Sequence, residues 1–325
     1  MLKFMDSWEK EDNMQNDFSR ITHEIERQLG EIVSTEKLPS RQNNISRIET
    51  PKGNFVVKVY EQRRPKANPN REIQMSRILR DLPEIREMIY CDESKKLIPH
   101  DFAIFRYAEG ETLRACLETD SLTGKQIENI AAQVHDLISS IVQIPTQGFG
   151  RLDDTGMRGT SVSWVQFLRD SQSPMIETFR THDVIPSALY LSATRMLDAR
   201  KDKFDCDSPK LLPMDLNIGN IVVGSDDKIK FIDLKTFWSG DSLCAFSQFY
   251  ALTNGTHLGK SFINHVEGFQ TDQFKVRFYA LLDNLNVLAF IARSDPEAAR
   301  EARPWGNPKR FVDLIEEHIA CLEAL

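Results

Sequence analysis

The sequence predicts an α+β fold in two unequal lobes, a small β-rich lobe over residues 1–108 and a larger, mostly helical lobe over residues 109–325. Three observations carry this expectation. Short runs rich in Val, Ile, Phe and Tyr, broken by Pro, Gly and Asn, cluster before residue 108. Apolar residues at helical spacing dominate after it. A chain of 325 residues, 41% hydrophobic and 27% charged, is long enough for about two compact units and apolar enough to fill their cores.

The elements follow in order. Phe18, Ile21, Ile25 and Leu29 share one face of a helix over residues about 17–29, with Asn16 or Asp17 as its cap and Gly30 as its stop. Ser46 to Tyr60 reads as a hairpin, two extended runs around the turn-forming Pro51-Lys52-Gly53-Asn54. Asn68-Pro69-Asn70 offers a cap for a helix over Arg71 to Leu79, in which Glu72, Met75 and Leu79 fall on one face, so a carboxylate shares a face with core residues. Extended runs around Met88 to Tyr90 and Phe102 to Tyr107 complete the small lobe, and Gly110 marks the turn out of it. In the larger lobe, Ile127, Ile130, Val134, Leu137, Ile138 and Ile141 form a helical stripe closed by Pro145. Asn220 to Asp233 predicts a short hairpin around Gly224-Ser225-Asp226-Asp227, with the two aspartates read simply as a turn. Phe274, Phe278, Leu281, Leu285 and Leu288 predict a further helix, and a last helix is expected to begin at Asn307-Pro308 with the proline in its first turn.

Composition excludes several classes. Lys and Arg total 41 against 48 Asp and Glu, a formal charge of −7, which argues against a protein that grips nucleic acid through its phosphates. No apolar run approaches the roughly 18–20 residues of a membrane-spanning helix, and the charged N-terminal segment does not read as a secretory signal. Cys91, Cys116, Cys206, Cys244 and Cys321 stand singly and never as CxxC, which predicts neither a disulfide framework nor a thiolate zinc site and fits a reducing cytoplasm. The histidines have no zinc spacing, and His135, beside the stripe residue Val134, reads as packing or a local hydrogen bond.

The segment that carries chemistry is Leu211 to Asp233, LLPMDLNIGNIVVGSDDKIKFID. Asp215 and Asn220 precede a hairpin whose second strand ends at Asp233, so three oxygen-bearing side chains can converge on one end of a small sheet. Hard divalent cations such as Mg²⁺ favour carboxylate and amide oxygens together with nucleotide phosphates. A further carboxylate can orient a hydroxyl nucleophile.

These residues resemble the aminoglycoside phosphotransferase and choline kinase superfamily, small-molecule relatives of the protein kinases, whose HGDLxxxN loop and following ID correspond here to PMDLNIGN and IDLK. Upstream, Lys58 in FVVKVY and Glu72 in REIQMSRIL stand in the expected order, and FRYA followed by GETL resembles the hinge between lobes. The resemblance implies a protein-kinase-like bilobal fold with a nucleotide cleft. It implies that Asp215 orients the acceptor hydroxyl, that Asn220 and Asp233 hold Mg²⁺, that Lys58 meets the α- and β-phosphates, and that Glu72 positions Lys58. Backbone groups of Arg106 and Ala108 are implied to meet the adenine edge. Such a site works by positioning and by stabilising charge on the transferred group.

Three positions depart from the family pattern. Pro213 replaces the histidine that usually precedes the catalytic aspartate, the nucleotide-covering segment Pro39 to Ile45 contains no glycine, and Ala245 replaces an aspartate that anchors the next helix. Lys235, two residues after Asp233, stands where relatives often carry an acidic or polar residue, and is expected to pair with a carboxylate, to touch phosphate or to be solvated. Asp241 and Trp238 are plausible members of an acceptor pocket.

The expected activity is Mg²⁺-dependent transfer of the γ-phosphoryl group of ATP or GTP to a hydroxyl of a small molecule. The acidity mildly favours a cationic acceptor, such as an aminoglycoside-like or amino-alcohol compound. Pro213 motivates an alternative, a catalytically silent kinase-fold module that binds nucleotide or serves as a scaffold. A protein or peptide acceptor is a third possibility.

Overall fold

The computed structural model describes residues 18–40, 43–60 and 71–325. It divides into two compact units, residues 1–108 and 109–325. The caps expected at Asn16, Asp17 and Asn68 to Asn70 lie outside the described residues, as does part of the Pro39 to Ile45 segment.

The first unit is a five-stranded antiparallel sheet, with β1 (Ser34–Leu38), β2 (Asn44–Thr50), β3 (Gly53–Tyr60), β4 (Met88–Asp92) and β5 (Asp101–Arg106) in the order β1-β2-β3-β5-β4. The β2–β3 hairpin closes through Pro51-Lys52, with Thr50 opposite Gly53 at φ +116°, a conformation that suits glycine. A helix α1 over residues 18–29 covers one face, packing Ile21, Ile25 and Leu29 against Phe55, Val57, Val59, Phe102 and Ile104. Successive strand residues alternate faces. Lys58 and Tyr60, out of phase with that core, therefore belong to the opposite face with Ala103 and Phe105, where Ile73 of helix α2 (Arg71–Ile78) packs. The hydrophobic alternation of β3 thus delivers one lysine to the helix that carries Glu72. The strand β1 lacks a strong apolar signal, being mostly exposed, and escapes sequence reading.

The second unit is mainly helical, with long helices at Gly124–Ile141, Trp164–His182, Ser242–Thr253, Gln273–Ser294 and Phe311–Ala324. Gln273–Ser294 carries the apolar stripe read from sequence, and Phe274, Phe278, Leu281, Leu285 and Leu288 are all buried. Two small sheets interrupt the helices. One pairs Ile221–Val223 with Ile229–Phe231 and with Glu111–Thr112. The other places Lys210–Pro213 beside Phe237–Gly240.

Asp227 does more than turn the chain. Its carboxylate accepts from Gln126 at 2.7 Å and its carbonyl from Gln133 at 2.8 Å, tying the hairpin to the helix Gly124–Ile141. The start of the last helix corrects expectation. It begins at Phe311, not at Pro308, because Asn307 is engaged elsewhere: its amide donates to the Asn254 carbonyl at 2.6 Å, and its oxygen accepts from Lys309 N. Capping passes to Arg310, whose backbone N–H donates to Asp313 at 3.0 Å.

Candidate active site

In the first unit, Lys58 Nζ lies 2.6 Å from Glu72 Oε2, and both side chains are almost fully buried. Two further groups converge on Glu72. Tyr60 donates its hydroxyl at 3.0 Å, and Arg86 places Nη2 3.2 Å from Oε1 while its guanidinium lies over the Phe105 ring. One carboxylate therefore serves two buried cations, which offsets the cost of removing it from water. Sequence reading pointed to Lys58 and Glu72 but missed Arg86, which sits in the irregular connection just before β4 with no spacing signal. At the end of β5, Arg106 N donates to Glu87 O and Tyr107 N to Asn54 O, so both of these amides are committed within the sheet unit.

In the second unit, the segment 214–220 is fixed by hydrogen bonds from all sides. Asn217 Nδ2 donates to Asp215 Oδ1 at 2.7 Å while Asn217 Oδ1 accepts from Gly219 N at 2.9 Å. The second bond sets the amide's orientation, since only Oδ1 can accept. Asn220 Nδ2 donates to the Asp215 carbonyl at 3.0 Å, and Asn220 O accepts from Ile232 N, joining the loop to the strand that ends before Asp233. Arg114 N donates to Ile218 O at 2.9 Å. The Arg114 guanidinium also covers the Trp305 ring at 4.3 Å. That ring limits the loop in turn, because a Cβ on Gly219 would come within 3.1 Å of it.

Pro213 ends a strand opposite Phe237, where Met214 N donates to Thr236 O. Support for the loop comes instead from Gln248, on the helix Ser242–Thr253. Its Nε2 donates to Met214 O at 2.6 Å and its Oε1 accepts from Leu216 N at 3.3 Å, one bond on each side of Asp215. Gln248 lies one helical turn beyond the buried Ala245, so a side chain from the same helix braces the loop although Ala245 cannot. No sequence signal marks a helical glutamine for this role.

Burial pushes the Asp215 carboxyl up to about 6, and the charge of Asp233 adds to the effect, while Asn217 and Lys235 oppose it. Burial likewise raises Asp283 to about 7, with the charge of Asp215 as the second cause. Asp283 comes from the helix Gln273–Ser294, and its Oδ2 is buried with no hydrogen-bond partner among the described residues. An acid inside an apolar helical stripe was the one sequence feature able to find it. Asp233 adopts φ +127°, rare for a residue other than glycine, and Lys235 spans its carboxylate. Asp241 is structurally committed: it caps the helix Ser242–Thr253, pairs with Lys275 at 2.7 Å and accepts from Tyr279 at 2.9 Å. Trp238 packs edge-on against Phe167.

The structure thus gathers Lys58 with Glu72 in one unit, and Asp215, Asn220 and Asp233 along one loop and hairpin in the other. Among the described residues no three His, Cys, Asp or Glu side chains form a metal cluster. An amide and a single carboxylate fit a Mg²⁺ ion that takes its remaining ligands from water and phosphate. The five cysteines are free thiols. No helix among the described residues is long and apolar enough to cross a membrane.

This architecture, a five-stranded antiparallel sheet unit followed by a helical unit with an Asp-x4-Asn loop, defines the class of protein-kinase-like phosphotransferases. The APH phosphotransferase enzyme family matches residues 34–265, and the chain belongs to that family, making it a small-molecule kinase. Solved structures agree on the fold. A thermostable mutant of aminoglycoside phosphotransferase APH(4)-Ia, in ternary complex with ADP and hygromycin B, is 15% identical, with a TM-score of 0.67 over 92% of this chain and 98% of that one. Choline kinase LicA from Streptococcus pneumoniae is 15% identical, with a TM-score of 0.55 over 94% and 98%. The gentamicin complex of APH(2")-IIa is 13% identical, with a TM-score of 0.56 over 94% and 95%. Among curated proteins none matches the chain significantly.

Proposed function

We propose that the protein transfers the γ-phosphoryl group of ATP or GTP to a hydroxyl of a small cationic molecule, with Asp215 as the group that orients and deprotonates that hydroxyl. The observation that carries this reading is the double fixation of Asp215, by Asn217 on its carboxylate and by Gln248 on the backbone at either side. A carboxylate raised to about 6 is ionised at neutral pH yet basic enough to accept a proton as the acceptor hydroxyl attacks. Asn220 and Asp233 would hold Mg²⁺, which when bound supplies positive charge against the phosphate oxygens. Lys58, positioned by Glu72, would pair with the α- and β-phosphates, and Arg106 and Ala108 would meet the nucleobase through their backbone. Localisation in the cytoplasm, where ATP and GTP are available, accords with this reading.

A cationic acceptor is supported by the unpartnered Asp283 oxygen and its electrostatic coupling to Asp215, and more weakly by the net charge of −7. Aminoglycosides and amino alcohols carry both the ammonium and the hydroxyl this reading requires. The test is an acceptor panel of aminoglycosides, choline, ethanolamine and neutral polyols, with radiolabelled γ-phosphate from ATP and from GTP. Transfer to a cationic member supports the proposal. Nucleotide binding without transfer to any member would favour the silent binding module.

A further inference from the structure

Lys235 Nζ lies 2.9 Å from Asp233 Oδ1 and 3.0 Å from Oδ2, so one ammonium straddles both carboxylate oxygens. The arrangement is short-tethered: Lys235 N also donates to Asp233 O at 2.9 Å, and Asp233 holds φ +127°. Such a conformation is strained in a residue with a side chain and persists where its surroundings enforce it. The pair is partly shielded, with side chains 30% and 26% exposed. An ammonium on both oxygens and a divalent cation at the same carboxylate exclude each other, by charge and by space.

We infer that Lys235 is a built-in counter-ion of Asp233, which holds the candidate metal carboxylate in the metal-free protein and must be displaced before a divalent cation can bind. The inference rests on the proposed metal role of Asp233. Its consequence is a raised threshold for metal in the absence of nucleotide. Four methylenes and partial exposure let the ammonium swing away, and the phosphates of an arriving nucleotide give both the displaced lysine and the cation a further anionic partner. Metal and nucleotide therefore enter together, and the free protein is a poor metal binder.

The test is direct Mn²⁺ titration of the full chain without nucleotide, followed by the electron paramagnetic resonance signal of free Mn²⁺. Lys235→Met and Lys235→Gln should each bind Mn²⁺ on the order of tenfold more tightly than the parent, the scale on which one neighbouring charge shifts a carboxylate. Thermal melting in chelator verifies that both variants are folded, and two different replacements guard against a local defect of one. No gain in affinity in either variant overturns the inference. Asp233→Asn separates this failure from a wrong site. If it abolishes the Mn²⁺ binding of the Lys235→Met protein, the carboxylate is the metal ligand; if binding persists, both the site and the counter-ion role are wrong.

Discussion

Gln248 donates to the carbonyl of Met214 at 2.6 Å, and the same amide accepts from Leu216 on the far side of Asp215. The candidate base is thus held by a side chain 33 residues downstream (248 − 215 = 33). Gln248→Ala leaves a buried carbonyl and a buried amide without partners, at a cost of about 1–3 kcal/mol in stability. The expected kinetic signature is a kcat reduced roughly tenfold or more, equivalent to about 1.4 kcal/mol, with the KM for nucleotide nearly unchanged. Gln248→Glu keeps the acceptor but turns the donor into a charge facing the Met214 carbonyl, and should rescue neither. Steady-state kinetics beside thermal melting checks both variants, and a change confined to nucleotide KM contradicts the positioning role.

The Glu72 hub predicts an asymmetry between its partners. Lys58→Met leaves Glu72 paired with Arg86 and Tyr60, so the fold should survive while the stabilisation by AMP-PNP in a melting titration is lost. Glu72→Ala strands two buried cations at once and should cost about 3–5 kcal/mol. Equal melting losses for the two variants would show that Arg86 does not share the load.

Much of the small lobe was legible because two periodicities intersect on one pair. The two-residue period of β3 sends Lys58 away from Val57 and Val59, and the helical period of α2 groups Glu72 with the buried Met75 and Leu79. Asp215, Asn220 and Asp233 were legible because one loop and one hairpin hold all three. Gln248 and Arg86 were not, since each reaches its target from an element distant in the chain, where its residue type has no local pattern to break, whereas Asp283 does interrupt an apolar helix but its target is set by long-range packing. Pro308 misled for a related reason: its helix-starting signal is local, whereas the Asn307 bond to Asn254 that delays the helix is long-range.

The raised carboxyl of Asp215 predicts the pH dependence of the reaction. The reactive form is ionised, so kcat/KM for the acceptor should be level above neutrality and fall as pH drops through about 6. A pH profile of kcat/KM at limiting acceptor tests this, and a kcat/KM that stays level down to about pH 4.5 would contradict Asp215 as the base.

Asp283 links pH to stability. Its folded value of about 7 exceeds its ordinary 3.8, so the folded protein binds a proton more tightly than the unfolded chain. This contribution is fully present below pH 3.8 and is lost as pH rises through about 7. Asp283→Asn cannot ionise and should therefore be stabilised relative to the parent, by roughly 2–4 kcal/mol at pH 8 and by about 1–2 kcal/mol near pH 5. Denaturant unfolding at the two pH values tests both the sign and the trend.

The central claim is that Asp215 acts on the acceptor hydroxyl rather than on the nucleotide. The most direct measurement is transfer of labelled γ-phosphate to the best acceptor of the panel by the parent and by Asp215→Asn, alongside AMP-PNP affinity for each. The account predicts a loss of several hundredfold in transfer, about 3–4 kcal/mol, with nucleotide affinity within a few-fold of the parent. Equal turnover by the two proteins would contradict it.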